Sequence, residues 1–228
     1  LDFKMQSFNG TDGADASSTF TANTNWQRFE FTTTVTTDSN FYPIQVSGLT
    51  GGDFQIWGAQ VEEGSYATSY IPTSGSTVTR NQDIFTRDGI GSLINSTEGV
   101  LFLEMAALSD DGTSRSISLN NGSSSNRIAI QFRATSGQIN SAIVVGGVAQ
   151  AVMPFTISQT NAYIKIALKY KENDFALWVN GTEVATDTSG STFSSGTINS
   201  LDFDDGNGTE DFYGKVKQLQ VYDTALTD

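Results

Sequence analysis

Residues 174–186 read DFALWVNGTEVAT, two short apolar or β-branched runs joined by Asn180-Gly181. Asn-Gly supplies φ > 0 at both central positions of a two-residue turn, the geometry that a tight antiparallel hairpin demands. This is the clearest hairpin in the chain, and it predicts an antiparallel all-β fold. Further turn signals surround it: Asp111-Gly112, Asn121-Gly122, Ser136-Gly137, Gly146-Gly147 and Ser195-Gly196. Between them lie strand candidates at Ile84–Thr86, Gly99–Leu108, Arg115–Leu119, Arg127–Ala134, Ile139–Val145, Ala149–Phe155, Ala162–Tyr170, Phe175–Val179, Glu183–Thr186, Ile198–Phe203 and Phe212–Tyr222. Short strands separated by frequent turn signals describe a two-sheet antiparallel sandwich of about 140 residues.

The composition narrows the chemistry. There is no His and no Cys. Their absence removes Ser-His-Asp hydrolysis, imidazole acid–base catalysis, thiolate chemistry, disulfides and the commonest zinc ligands. The formal net charge is −13, with eight acidic and two basic residues in 1–75 (−6) and seventeen and ten in 76–228 (−7). No basic patch tracks phosphates, so nucleic acid is not an expected partner. No apolar run approaches the roughly 18 residues of a membrane span, so membrane insertion is not expected either. Neutral sugars meet no electrostatic penalty at such a surface, whereas acidic glycans do.

Upstream of the sandwich the pattern is sparser. Leu1 to Gln6 alternates, Trp26 to Thr37 (WQRFEFTTTVTT) is aromatic and β-branched with Phe29 and Phe31 on one face, and Phe41–Val46 and Phe54–Val61 complete the set. About five strand-like runs fall short of the eight of a jelly roll. This half therefore reads as a partial β-sandwich, missing upstream strands or packing on a neighbour. A start at Leu1 rather than Met reads as a processed product or an excised part of a longer chain. Glu62-Glu63-Gly64 reads as a strand terminator, and the polar tether through Pro72 as the joint between modules. The expected organisation is a partial sandwich over 1–75, a linker with a first strand over 76–92, and the main sandwich over 93–228.

Two passages resemble known families. NWQRFEFTTTV (25–35) with GDFQIWGAQVEEGSYATSYIPT (52–73) resembles the last strands of carbohydrate-binding-module-like jelly rolls found in tail and fibre proteins of bacteriophages and prophages. The stretches NSTEGVLFLEM (95–105), DFALWVNGTEVAT (174–186) and DFYGKVKQLQVYDTALTD (211–228) resemble concanavalin A-like, laminin-G-like domains. The resemblance implies a concanavalin A-like jelly roll with a smaller N-terminal module. It leaves the ligand open, because such sandwiches serve as sugar binders, protein binders and spacers alike.

Four residues are candidates for ligand contact: Trp57, Trp178, Asp202 and Asn207. Trp57 is opposite in phase to Phe54 and Ile56; it reads either as a platform for the CH face of a pyranose or as packing in the core or between modules, and the family motif favours packing. Trp26 reads similarly. Trp178 alternates with Leu177 and Val179 beside the hairpin, in the core or on a sheet surface. Residues 202–211 (DFDDGNGTED) hold five carboxylates, with Asp202 and Asp204 on one strand face about 7 Å apart. Asp202, Asp204 and Asp205 are candidate calcium ligands, set against a plain solvated acidic hairpin, since Gly206 breaks an EF-hand spacing. Some laminin-G-like domains bind calcium at the sandwich rim, and the resemblance carries that implication here. Asp110-Asp111-Gly112 is a weaker second candidate. A glycosidase needs paired carboxyls roughly 5–10 Å apart. Glu98 and Glu104 share a strand but stand about 20 Å apart along it.

The expected function is non-catalytic recognition of a neutral cell-surface polysaccharide by a tail-fibre-like protein, on the virion or outside the cell, multiplied by homo-oligomerisation as a trimer. Calcium is its expected cofactor if there is one. The alternatives are a structural or oligomerisation module of a virion fibre or capsid decoration, and the binding appendage of a polysaccharide-degrading enzyme.

Overall fold

The computed structural model describes residues 2–8, 14–34, 44–48, 53 and 55–226. The chain divides into two compact units, Leu1–Arg80 and Asn81–Asp228.

The first unit holds a three-stranded antiparallel sheet of β1 (Asp2–Phe8), β2 (Ala14–Thr21) and β3 (Ile44–Gly48), in the order β2-β1-β3. Phe3 is buried on it, 5.5 Å from Phe20 and 4.9 Å edge-on to Phe29. Strand β1 and part of the 41–46 run are as the alternation predicts. Two expected strands are not formed among the described residues: 26–34 and 55–61 carry no ladder pairing. The rest of those runs, 35–37 and Phe54, lies outside the described residues. The reason is visible in their side chains. Phe29 of the first run packs on Phe3 and Phe20, but Trp26, Ile56, Trp57 and Val61 are all exposed, so most of the apolar side chains of the two runs are not received by a sheet face.

The second unit is an antiparallel β-sandwich. Its strands are β4 (Thr86–Arg87), β5 (Glu98–Ala107), β6 (Arg115–Asn120), β7 (Arg127–Phe132), β8 (Gln138–Val145), β9 (Val148–Thr156), β10 (Ile164–Lys171), β11 (Phe175–Val179), β12 (Thr182–Asp187), β13 (Ser200–Asp202) and β14 (Gly214–Tyr222). One sheet runs β12-β11-β10-β5-β14 and the other β4-β13-β6-β7-β8-β9. A strand was expected at each of these places. Among the described residues the only helical element is a short 3-10 turn at Gly91–Leu93, and no helix is long and apolar enough to cross a membrane.

Alternation builds the core. Leu101, Leu103 and Met105 of β5, with Ile166 and Leu168 beside them on β10, meet Ile117 and Leu119 of β6 and Ile128, Ile130 and Phe132 of β7 in the other sheet, all fully buried. The β11–β12 turn has Asn180 at φ 51° and Gly181 at φ 82°, the left-handed pair that the Asn-Gly signal predicts. Asn180 also ties β11 to β10: its N–H donates to Lys165 O at 2.8 Å, and its Oδ1 accepts from Lys165 N–H at 3.1 Å. Tyr170 donates its buried hydroxyl to Asn95 O at 2.8 Å, and burial raises its pKa well above the ordinary phenol value. Gly99 leaves room for that hydroxyl, since a Cβ there would lie 2.6 Å from it.

Candidate functional site

Residues Ser116, Ser118 and Asn120 lie on the face of β6 turned away from Ile117 and Leu119, and period-2 alternation alone would put them in water. All three are instead fully buried. The cover is the segment after β13. Strand β6 pairs with β13 as far as Asp202↔Ser118, the chain then swings out, and it returns at Glu210, whose carbonyl accepts from Ser116 N–H at 2.8 Å. Glu210 turns there with φ 59°. Bonds from Asp205 N–H to Thr209 O (3.0 Å) and from Phe212 N–H to Phe203 O (2.8 Å) close the lobe. Gly206, at φ 92°, rests on Asn120, where a Cβ would come within 2.9 Å of the amide carbon.

The carboxylates of this lobe are structural acceptors. Asp202 Oδ2 accepts from Asn120 Nδ2 at 2.8 Å, and the same Asn120 amide donates to Ser118 Oγ at 2.9 Å. Asp204 Oδ1 accepts from Gly206 N–H at 2.5 Å. Asp205 pairs with Arg127 at 3.3 Å and accepts from the N–H groups of Asn207 and Thr209. Glu210 accepts from the Gln131 amide. Burial, with Asp202 and Asp205 nearby, pushes the Asp204 carboxyl above its ordinary range. One carboxylate oxygen is left over: Asp202 Oδ1 is buried with no hydrogen-bond partner among the described residues.

The expectation of a solvated acidic hairpin is thus corrected, because Asp202, Asp204 and Asp205 are all buried. Among the described residues, no group of three or more Asp or Glu is placed to hold a metal ion. Asn207 is exposed at the tip, its amide donating to Ser124 Oγ at 3.3 Å. At Asp110-Asp111-Gly112, both oxygens of the Asp111 carboxylate accept from the one Arg115 Nη2, each at 2.7 Å, which accounts for that turn.

Trp178 lies on the outer face of the five-stranded sheet, since Leu177 and Val179 point into the core. It is half-buried, and the Lys169 ammonium sits 5.5 Å from its ring centroid, so a cation already occupies one face. Lys169 is held in turn by Asp174 at 2.7 Å. On the same face Glu104 is taken by Lys217 at 2.8 Å and Glu98 by Lys171 at 3.1 Å. These carboxylates sit in ion pairs on the outer face of a sheet, not across a cleft.

Trp57 does not sit in the core of the first unit. It is 74% exposed and lies 4.9 Å from Tyr70, centroid to centroid, with the rings inclined at 49°. Gly58, at φ 68°, brings its backbone against the Tyr70 ring, where a Cβ would stand 3.4 Å away. The segment is held by side chains in place of a ladder. Glu62 accepts from the Thr68 N–H (2.5 Å) and hydroxyl (2.6 Å), and Gln60 Oε1 accepts from Ile71 N–H (2.8 Å). Arg28 adds a bond to Thr68 O at 2.5 Å. The Thr68 hydroxyl bond, mainly, draws the Glu62 carboxyl below its ordinary range. Glu62 is therefore a clamp for the 60–71 turn and not a strand terminator. The signal was present in the motif, whose Gly58, Gln60, Glu62, Thr68 and Tyr70 all belong to this one device.

Among curated proteins none matches the sequence. The fold has solved counterparts. The sialyllactose-bound CBM40 of the Ruminococcus gnavus IT-sialidase is similar at TM-score 0.50 and 15% identity, over 63% of this chain and 94% of that one. The Caenorhabditis elegans galectin LEC-6 is similar at TM-score 0.42 and 16% identity, over 62% and 91%. A leech intramolecular trans-sialidase is similar at TM-score 0.48 and 21% identity over 58% of this chain, which spans only 22% of the leech chain. At these identities the likeness is one of fold. In sequence, the family model described as the concanavalin A-like lectin/glucanases superfamily matches residues 102–228, more than half of the chain and nearly all of the sandwich. The chain belongs to the concanavalin A-like lectin/glucanases superfamily.

Proposed function

We propose that the chain is a non-catalytic glycan-recognition module of a phage or prophage tail-fibre-like protein, binding a neutral cell-surface polysaccharide outside the cell. The observation that carries this reading is the exposed Trp57–Tyr70 pair. Two apolar rings set at an angle and fixed by Gly58 form a surface on which a pyranose stacks at little entropic cost. The net charge of −13 disfavours anionic glycans. The CBM40 counterpart supports a sugar ligand only by analogy of fold. The paired state of Glu98 and Glu104 is consistent with a module that holds sugar without cleaving it. One shallow site binds weakly, and a trimeric fibre would multiply it.

A second reading has its own observation. Ile56, Trp57 and Val61 expose apolar side chains on both faces of one extended segment, which suits a contact between copies in a structural fibre module. A glycan array on the native chain and on Trp57→Ala, each with and without calcium, separates the two. Calcium is a variable because Asp202 keeps a buried carboxylate oxygen without a partner. The glycan reading expects binding to neutral sugars that Trp57→Ala abolishes. No binding to any sugar in either condition, together with a stable oligomer that Trp57→Ala disrupts, would establish the structural reading instead.

A further inference from the structure

Strands β9 and β12 are edge strands, one from each sheet of the sandwich. Where they run side by side, a crevice of about 420 Å3 opens between the sheets. Its floor is the edge of the core itself: Ile164 and Val179, which are buried, with Phe155 and Val184 packed against them. Its lip comes from the β9–β10 connection, with Ser158 and Gln159, and from Thr182 just after the Asn180-Gly181 turn. Tyr163 stands at the mouth, half exposed, with the Lys217 ammonium 5.7 Å from its ring centroid.

Three properties define what would fit. The volume is that of a small-ligand pocket. No carboxylate, ammonium or guanidinium lines it, and the Lys217 ammonium at the mouth is already taken by Glu104, so a charged group entering would be desolvated without a free counter-charge. And the polarity is graded: the Gln159 amide and the Ser158 and Thr182 hydroxyls at the lip make no hydrogen bond among the described residues, Asn180 stands beside them, and the buried side chains below, Ile164 and Val179, are hydrocarbon. A free sugar hydroxyl pushed onto Ile164 and Val184 would lose its hydrogen bonds to water and regain none. A methyl carried on an amide would place its apolar end on the floor and its N–H and C=O level with the lip.

We propose that this crevice is a second binding site, taking a neutral N-acylated sugar residue with its acyl methyl between the sheets and its amide level with the lip. The choice of a sugar among neutral acylated ligands rests on the glycan reading above; the site itself does not involve Trp57 or Tyr70.

The probe is N,N′-diacetylchitobiose, with cellobiose as the matched ligand lacking the acyl groups, titrated into the full chain and followed by backbone amide NMR. The expected result is saturable shifts over 157–164 and 179–184 with the acylated disaccharide, and binding of cellobiose weaker by about tenfold, the joint effect of one buried methyl and one amide hydrogen bond. Ala162→Trp, at an exposed position of the lip, would abolish those shifts, and Thr182→Tyr on the opposite lip would do the same if the first variant misfolds. Trp57→Ala would leave them unchanged. Equal affinity for the two disaccharides, shifts that avoid the crevice, or chitobiose binding that survives both lip variants would overturn the proposal. Binding lost in Trp57→Ala but kept in both lip variants would overturn it while leaving the glycan reading intact.

Discussion

Asn120→Ala tests whether the lobe over β6 is fastened by the buried amide. The side chain makes three bonds: to Asp202 Oδ2 at 2.8 Å, to Ser118 Oγ at 2.9 Å, and from Gly122 N–H at 2.7 Å. A hydrogen bond to a charged group contributes about 2 kcal/mol and a neutral one about 1 kcal/mol, and the partners left behind are buried. The larger effect falls on Asp202. It is 5% exposed and its Oδ1 is already unpartnered, so removing Asn120 leaves both carboxylate oxygens bare. The expected loss is about 4 kcal/mol, in the range seen when a buried charge loses its partner. For a sandwich of this size that lowers the melting temperature by roughly 10 °C. Trp178 is the only tryptophan of the second unit, so its fluorescence in a Trp26→Phe/Trp57→Phe background follows this melt alone. The control is the cycle with Asp202→Ala: the double variant should be more stable than Asn120→Ala alone, because removing the charge removes the debt. A shift under about 2 °C, or strict additivity in the cycle, would refute the reasoning.

Three further outcomes are expected. Gly99→Ala places a methyl 2.6 Å from the Tyr170 hydroxyl and against the β14 backbone, and should cost about 3 kcal/mol in denaturant unfolding; Tyr170→Phe, which gives up only the bond to Asn95 O, should cost about 1 kcal/mol. Asp204 has its folded pKa raised, so wild type gains stability as pH falls through that pKa. Asp204→Asn should therefore be the more stable protein at pH 7, with its advantage shrinking on acidification, as melts between pH 7 and pH 4 would report. Glu62 has the opposite sign. Its folded pKa is lowered, so the clamp on Thr68 is complete above the ordinary carboxylate range and is lost as pH falls through the folded value. Exchange protection at the Thr68 amide should fall over that window and be absent at any pH in Glu62→Ala.

The sandwich was legible because each of its strands alternates against one shared core, and because its turns carry Gly or Asn where the backbone needs φ > 0. The lobe was not. Ser116, Ser118 and Asn120 occupy alternate positions opposite Ile117 and Leu119, a pattern identical to that of a solvated sheet face. Only the excursion between Asp202 and Glu210, with no local signal beyond its glycines and carboxylates, reveals that they are covered. In the first unit the failure ran the other way. Strand β2, ADASSTFT, lacks apolar alternation and was missed, while WQRFEF and FQIWGAQV have strand composition without a ladder among the described residues.

That contrast bears on function. In the sandwich the backbone is satisfied by ladders and the side chains are free to pack inward, so Phe132, Tyr170, Phe175 and Phe193 are buried in the core, and Trp178 on the outer face is met by a cation. Around Trp57 the backbone is secured from the side, by Glu62 and Gln60 reaching across the 60–71 turn. A segment fastened in this way needs no burial of its own apolar residues to stay in place. Trp57 and Tyr70 can therefore remain in water at fixed separation. An aromatic pair that is both rigid and exposed is the condition a stacking site requires, and here it follows from which groups hold the backbone rather than from any property of the tryptophan itself.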